Sequence, residues 1–196
     1  MASRASQIFI VVGAFVAGLV IFLGVILYST GQFSGGSGGA IGGPFALTGG
    51  NGQPISNATF KGKPYLVFFG YTHCPDICPT TLFDLSQVMQ ALGKDADRTA
   101  GLFITVDPER DTPAVMKDYM SNFDPHLYGA TGDLKTIEQV EKEFRVYAKK
   151  VPTKDGDYSM DHSAVVYLMD KQGRFVAPFS LQRKPAESAA ALRKYM

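Results

Sequence analysis

From Ile8 to Tyr28 the chain has no charged residue, and nearly every position is apolar or glycine. A run of about 20 apolar residues is long enough to cross a hydrocarbon layer about 30 Å thick. It outruns the apolar core of a signal peptide, which reaches about 7–15 residues, and no Ala-x-Ala cleavage site follows it. The expectation is a transmembrane signal anchor over residues 8–28, with residues 1–7 as a short cytoplasmic N-terminus. A cleaved signal peptide is the alternative, and it would send the rest of the chain to the same side. Arg4 precedes the run and the next basic residue is Lys61. That bias places the N-terminus in the cytoplasm and the remainder across the membrane. Residues 29–43 are rich in Gly and Ser, the composition of a flexible tether. About 13 such residues span on the order of 20 Å, so whatever folds next works close to a membrane surface.

Residues 44–196 are long enough to bury a core of their own and read as one domain. With Arg4 set aside, 18 of the 19 basic residues stand against 18 acidic ones. This balance, with no basic stripe, excludes a nucleic-acid partner. Gly49-Gly50-Asn51-Gly52 marks a hairpin turn. Buried strands are predicted over residues 65–69 and 102–106, and an amphipathic helix over residues 80–92 that Gly93 stops. Thr112 is a candidate cap and Pro113 a first helical residue, for a helix running to about residue 123. Further helices are predicted over residues 133–144 and from Lys184-Pro185 onward. An edge strand is expected at residues 146–151, and a hairpin pairs residues 163–169 with 174–177. The alternation gives a β-α-β-α-α-β-β-α order: an α/β fold with a central mixed sheet flanked by helices.

The chain has two cysteines, Cys74 and Cys78, between the first buried strand and the first helix. If that segment forms one helical turn, the two thiols share a face with Cβ atoms about 5–6 Å apart. Such a pair suits a soft metal ion or a local disulfide, and a disulfide closing so small a loop would add little stability. A helix N-terminus beside the pair would favour thiolate and lower the thiol pKa. His73 adjoins Cys74, but neighbours on an extended segment point to opposite faces, so it is expected to face away. His126 is expected in a surface loop. Met89, Met116, Met120 and Met169 fall in core-like patterns rather than in a metal-binding tract.

Tyr71-Thr72-His73-Cys74-Pro75-Asp76-Ile77-Cys78-Pro79 resembles the signature of the Sco/SenC family. Those proteins are thioredoxin-like, membrane-anchored copper proteins of cytochrome c oxidase assembly. Val106-Asp107-Pro108-Glu109-Arg110-Asp111-Thr112 and Asp161-His162-Ser163 look like two further family segments, in the same order along the chain. The resemblance implies a thioredoxin-like fold, with Met160-Asp161-His162-Ser163 standing where thioredoxins carry a proline that contacts peptides. It implies copper, as Cu(I) or Cu(II), held by Cys74, Cys78 and His162. Asp107 and Asp76 become candidates to orient His162 or tune the sulfurs; equally, Asp107 would form a turn with Pro108 and Asp76 would cap a helix.

The implied partner is the copper-site subunit of cytochrome c oxidase, which would receive copper at its dinuclear site. Another periplasmic copper chaperone would be the donor. The alternative activity is a dedicated thiol-disulfide reductase, with Cys74 and Cys78 as the redox-active pair that keeps the oxidase cysteines reduced. A peroxide-reducing site is disfavoured, because Thr72 lies two residues before Cys74 rather than three. The expected location is a bacterial inner membrane with the domain in the periplasm. The alternative is a mitochondrial inner membrane, facing the intermembrane space, which would call for an Arg-rich transit segment ahead of the span.

Overall fold

The computed structural model describes residues 41–196 and, upstream of them, only Gly18, Leu19 and Phe22. The anchor expected over residues 8–28 otherwise lies outside the described residues, as does the tether expected over residues 29–43 up to residue 40. Among those described, no helix is long and apolar enough to cross a membrane. The compact unit begins at Ile41, which packs on the core, and Gly42 N–H donates to the Glu143 carbonyl at 2.7 Å. Residues 41–43 therefore join the folded unit rather than the tether.

Nine strands and four α-helices follow. β1 (Ala46–Gly49) and β2 (Pro54–Ser56) form the hairpin expected at the glycine-rich turn, where Gly52 takes a φ of +76° that other residues rarely adopt. β3 (Tyr65–Gly70) and β4 (Ala100–Thr105) are buried at every position, which is why each reads as a continuous apolar run. They pair in parallel, and β4 pairs in parallel with β5 (Leu127–Thr131). β8 (Val166–Met169) runs antiparallel to β3, and β9 (Phe175–Pro178) to β8. The sheet order is β2-β1-β5-β4-β3-β8-β9, a thioredoxin-like mixed sheet.

Of the helices, α1 (Ile77–Leu92) and α2 (Pro113–Met120) lie over the face that carries Phe68 and Phe103. α3 (Leu134–Phe144) covers the other face, where Phe144 packs on Phe69 and Tyr167. α4 (Pro185–Arg193) packs against α1. Thr112 caps α2 through its side chain and Pro113 opens that helix, as the sequence indicates. α2 stops at Met120 rather than near residue 123. The side chains of Ser121 and Asn122 turn back onto the Asp118 carbonyl and take over the free end of the helix.

Three strand readings change. β5 was not expected at all: with Gly129 and Ala130 it lacks an apolar alternation. The small residue is needed because a Cβ at Gly129 would lie 2.5 Å from Met116 Cγ and 2.7 Å from Met120 Cγ, so α2 rests directly on the strand. The edge strand expected at residues 146–151 is β6 (Ala148–Pro152), but it pairs with β7 (Tyr158–His162) in a separate two-stranded ribbon. The strand expected over residues 163–169 shortens to β8, which starts at Val166, and β7, which was not expected, precedes it and ends at His162. The ribbon is largely exposed, except where Met160 is buried and Ala148 and Tyr158 pack on the core.

Candidate metal centre

The site forms where β3 leaves the sheet. Val106 N–H donates to the Gly70 carbonyl at 2.8 Å, so β3 and β4 end level with one another. The chain then turns, with Cys74 N–H on the Tyr71 carbonyl at 3.2 Å, and enters α1 at Ile77. Cys74 precedes the helix while Cys78 occupies its first turn, because α1 starts at Ile77, three residues before the expected start at residue 80. Cys78 N–H donates to Cys74 Sγ at 3.4 Å, and both thiols are free.

His162 reaches the pair from the base of the ribbon, 84 residues away in sequence. Its Nε2 lies 3.5 Å from Cys78 Sγ. Its Nδ1 faces the Ser163 carbonyl at 3.2 Å, and because a carbonyl can only accept, that nitrogen carries the proton and Nε2 presents a lone pair to the sulfurs. The ring is held edge-on against Tyr71, at 5.9 Å between centroids, and against Phe68 at 6.5 Å. Cys74 Sγ, Cys78 Sγ and a His162 nitrogen all lie within 4.8 Å of one another. Two soft sulfurs and one imidazole, closed on the inner side by aromatic rings, form a donor set suited to a thiophilic metal.

The expectation that a helix N-terminus lowers the thiol pKa is overturned at Cys78. This residue is fully buried, and burial pushes its thiol pKa up, with the neighbouring Cys74 and Asp111 adding to the effect. Cys78 is therefore a neutral thiol until something displaces its proton. Burial also lowers the His162 pKa, against the opposing pull of the Ser163 carbonyl and Asp161, and keeps the ring neutral and able to ligate.

Neither aspartate expected near the ligands touches them. Asp76 stands at the N-cap of α1, but its exposed side chain caps nothing. Asp107 is fully buried and forms an ion pair with Arg110, while the Tyr158 hydroxyl donates to its Oδ1 at 2.9 Å. Arg110 in turn lies 3.7 Å over the Tyr158 ring and 5.9 Å from the Tyr71 centroid. Asp107 thus clasps the turn end of the ribbon, at Tyr158, to the end of β4. His73 faces away, 52% exposed, as expected. His126 sits in the turn before β5, as expected, with its ring between Asp124 at 2.7 Å and Asp97 at 3.1 Å.

The residue that sequence reasoning overlooked is Asp111, which appears there only within the family segment Val106 to Thr112. Its carboxylate is fully buried and accepts from Thr72 N–H at 3.0 Å, Thr72 Oγ1 at 2.6 Å and Thr105 Oγ1 at 2.6 Å. It pins the cysteine loop to β4. No spacing in the sequence signals a contact between positions 39 residues apart.

Comparison with known proteins adds a family context. Residues 34–196 match the family model described as SCO1/SenC. A SCO2-like protein of Rickettsia conorii is 39% identical over 155 residues, covering 78% of this chain and 76% of the relative. The mitochondrial SCO2 homolog of Danio rerio is 41% identical over 157 residues, covering 79% of this chain and 56% of the relative. Among solved structures, Bradyrhizobium japonicum ScoI with copper bound superposes with a TM-score of 0.78 at 62% identity, over 80% of this chain and 100% of that one. Yeast Sco1 with copper bound gives 0.72 at 34% identity, over 80% and 88%.

Proposed function

The chain belongs to the SCO1/SenC family, and from that premise we propose that it is a membrane-tethered copper carrier. It takes one copper ion on Cys74, Cys78 and His162 and passes it to the dinuclear copper site of a cytochrome c oxidase subunit. The observation that carries this reading is the convergence of the two sulfurs and the imidazole nitrogen within 4.8 Å. Thiolates favour Cu(I) and imidazole suits copper, so the set serves both oxidation states. The likeness to a copper-bound relative at 62% identity supports the choice of metal.

The geometry sets an order for transfer. Cys78 gives up its proton when copper binds, whereas His162 has none to lose at Nε2. Cys74 is 9% exposed and Cys78 is fully buried, so an incoming thiolate displaces Cys74 first and Cys78 last. Copper is cargo throughout, and the donor is another periplasmic copper chaperone. Residues 8–28 anchor the carrier in the bacterial inner membrane, residues 29–40 tether it, and the domain faces the periplasm. A mitochondrial inner membrane is the alternative, supported by relatives named as mitochondrial. Protease accessibility of the domain in intact spheroplasts tests the placement.

The copper reading is tested by titrating the reduced protein and its His162→Ala variant with Cu(I) and Cu(II). One equivalent bound, with Cu(II) binding lost or strongly weakened in the variant, is the expected result. Unchanged Cu(II) affinity in the variant would remove His162 from the ligand set. A second reading, the thiol-disulfide reductase, is favoured by one observation: the two free thiols lie side by side, with the Cys78 N–H donating to Cys74 Sγ at 3.4 Å, so that one can attack a partner disulfide and the other resolve it. Failure to bind either copper ion, with rapid reduction of a disulfide in an oxidase-derived peptide, would decide for it.

A further inference from the structure

At the start of β3, away from the metal centre, lies a cavity of about 400 Å³. Two loops enclose it: the short helical turn Asn57–Phe60 with the residues that follow, and the turn joining β8 to β9. Gly62 N–H donates to the Lys171 carbonyl at 3.0 Å and fastens the loops together. Phe60 stacks on the Tyr65 ring at 4.7 Å, and both rings are buried. Lys61, Lys171 and Gln172 also line the space.

The Tyr65 hydroxyl is buried without a hydrogen-bond partner. A phenylalanine would fill the same volume without that unfavourable burial, so the hydroxyl calls for an explanation. Open space lies in front of it. A Cβ on Gly173, in the β8–β9 turn, would stand 3.5 Å from the hydroxyl, and no other atom beyond the glycine's chain neighbours lies within 4 Å of that position. Gly173 holds φ at +76°, which residues with a side chain rarely adopt, so the turn keeps the space clear.

The chemistry of the cavity suits an anion. Among the described residues neither Lys61 nor Lys171 has an ion-pair partner. Asp170, next to Lys171, is already occupied by the Arg174 guanidinium at 2.8 Å and by the N–H groups of Gln172 and Arg174 at 2.9 Å each. Two ammonium groups and a phenol O–H are donors matched to the oxygens of a phosphate. The space is larger than a phosphate and leaves room for the glycerol of a phosphodiester.

Position selects the source of that phosphate. Asn57, in the cavity wall, donates through Nδ2 to the Gly43 carbonyl at 3.1 Å and accepts at Oδ1 from Phe45 N–H at 2.6 Å. The wall is thus fastened to the segment through which the tether expected over residues 29–43 joins the domain. We propose that the cavity is a headgroup site for an anionic phospholipid, whose phosphate sits between Lys61 and Lys171 and accepts from the Tyr65 hydroxyl. The lipid as source rests on the membrane-tethered reading, and the anion site does not. A lipid held there turns the metal centre, at the other end of β3, away from the bilayer and toward a partner.

The test follows the amide resonances of Gly62 and Gly173 in the full chain in neutral detergent. The probes are short-chain phosphatidylglycerol, short-chain phosphatidylcholine and glycerol phosphate. Phosphatidylglycerol should shift both resonances saturably and bind more tightly than the other two. Replacing both lysines, Lys61→Gln with Lys171→Gln, weakens that binding about thirtyfold, from about fivefold per lysine at an anionic lipid surface. Tyr65→Phe weakens it about tenfold, the size expected for one hydrogen bond to a charged group, and does not melt below the wild type. Lys63→Gln is the control and binds as the wild type does, because the Lys63 ammonium donates to the Asp97 carbonyl at 2.6 Å and lies outside the cavity lining.

Equal binding of glycerol phosphate and phosphatidylglycerol would overturn the lipid assignment in favour of free phosphate esters. Equal binding of phosphatidylcholine, unchanged binding in the cavity variants, or a loss in Lys63→Gln as large as in the lysine pair would overturn the site itself. Should the protease test remove the periplasmic placement while phosphatidylglycerol still binds in the cavity, that placement falls and the site stands.

Discussion

Gly70→Ala tests how tightly the fold and the metal centre are joined. The added Cβ would lie 2.7 Å from Cys78 Sγ and 2.7 Å from Phe103 Cε2, with Phe103 Cζ at 3.3 Å. Non-bonded carbons settle at about 3.5–4.0 Å and sulfur is larger, so both contacts must open by about 1 Å, by a shift of the strand as well as of its neighbours. Phe103 is buried and stacked on Phe68 at 5.8 Å, and gives little. Of the two neighbours the sulfur moves more, carried by the first turn of α1. Overpacking of this kind costs about 1–3 kcal/mol, which in a domain of this size lowers Tm by roughly 2–12 °C. Displacement of Cys78 Sγ also spoils its approach to His162 Nε2, now 3.5 Å. Gly101→Ala is the comparison: its Cβ would press on Leu127 Cδ2 at the opposite end of β4, away from the thiols. Thermal melts and Cu(II) titrations of both variants separate the effects. Both lose stability, and only Gly70→Ala loses Cu(II) affinity. A Gly70→Ala protein with wild-type affinity and spectrum, or a Gly101→Ala protein equally impaired in binding, would refute the reasoning.

Asp111→Ala leaves Thr72 and Thr105 with donors facing a void, and at least 3 kcal/mol of stability should be lost, on the order of two hydrogen bonds to a charged group, as read by urea unfolding; a loss below about 1 kcal/mol would show that the loop is pinned by something else. Glu141 supplies a pH dependence. Burial, reinforced by Glu138 and opposed by Lys142, pushes its pKa up to about 7 from 4.5. The folded state therefore holds this proton more tightly than the unfolded one. The stability it contributes is full below about 4.5 and is lost as pH rises through about 7. Glu141→Gln should melt higher than wild type at pH 8 by a margin that shrinks at pH 5; a constant margin would contradict the assigned burial. Finally, copper uptake should release at least one proton per ion, from Cys78, so apparent affinity rises with pH across the neutral range. Calorimetry in buffers of different ionisation enthalpy counts those protons, and a count of zero would mean that the thiol is already ionised.

Local chemistry was legible in the sequence because its causes are local. The apolar runs of β3 and β4, the Thr112-Pro113 start of α2, the glycine-rich hairpin and the Cys74–Cys78 spacing each follow from residues within a few positions of one another. Three motifs in order were enough to name the family and to propose the three ligands. The tertiary structure decided whatever depends on neighbours distant in sequence. β5 carries no pattern of its own, since Gly129 answers to Met116 and Met120 of α2. The ribbon pairs β6 with β7 apart from the main sheet, through partners as distant in sequence as Ala148 and His162, and that puts His162 at the end of β7. Asp107 and Asp111 exchanged their expected importance: the first clasps the ribbon, and the second fixes the cysteine loop across 39 residues. The thiol pKa at Cys78 went up rather than down because complete burial outweighs a helix terminus, and burial is a property of the packed molecule that no run of residues records.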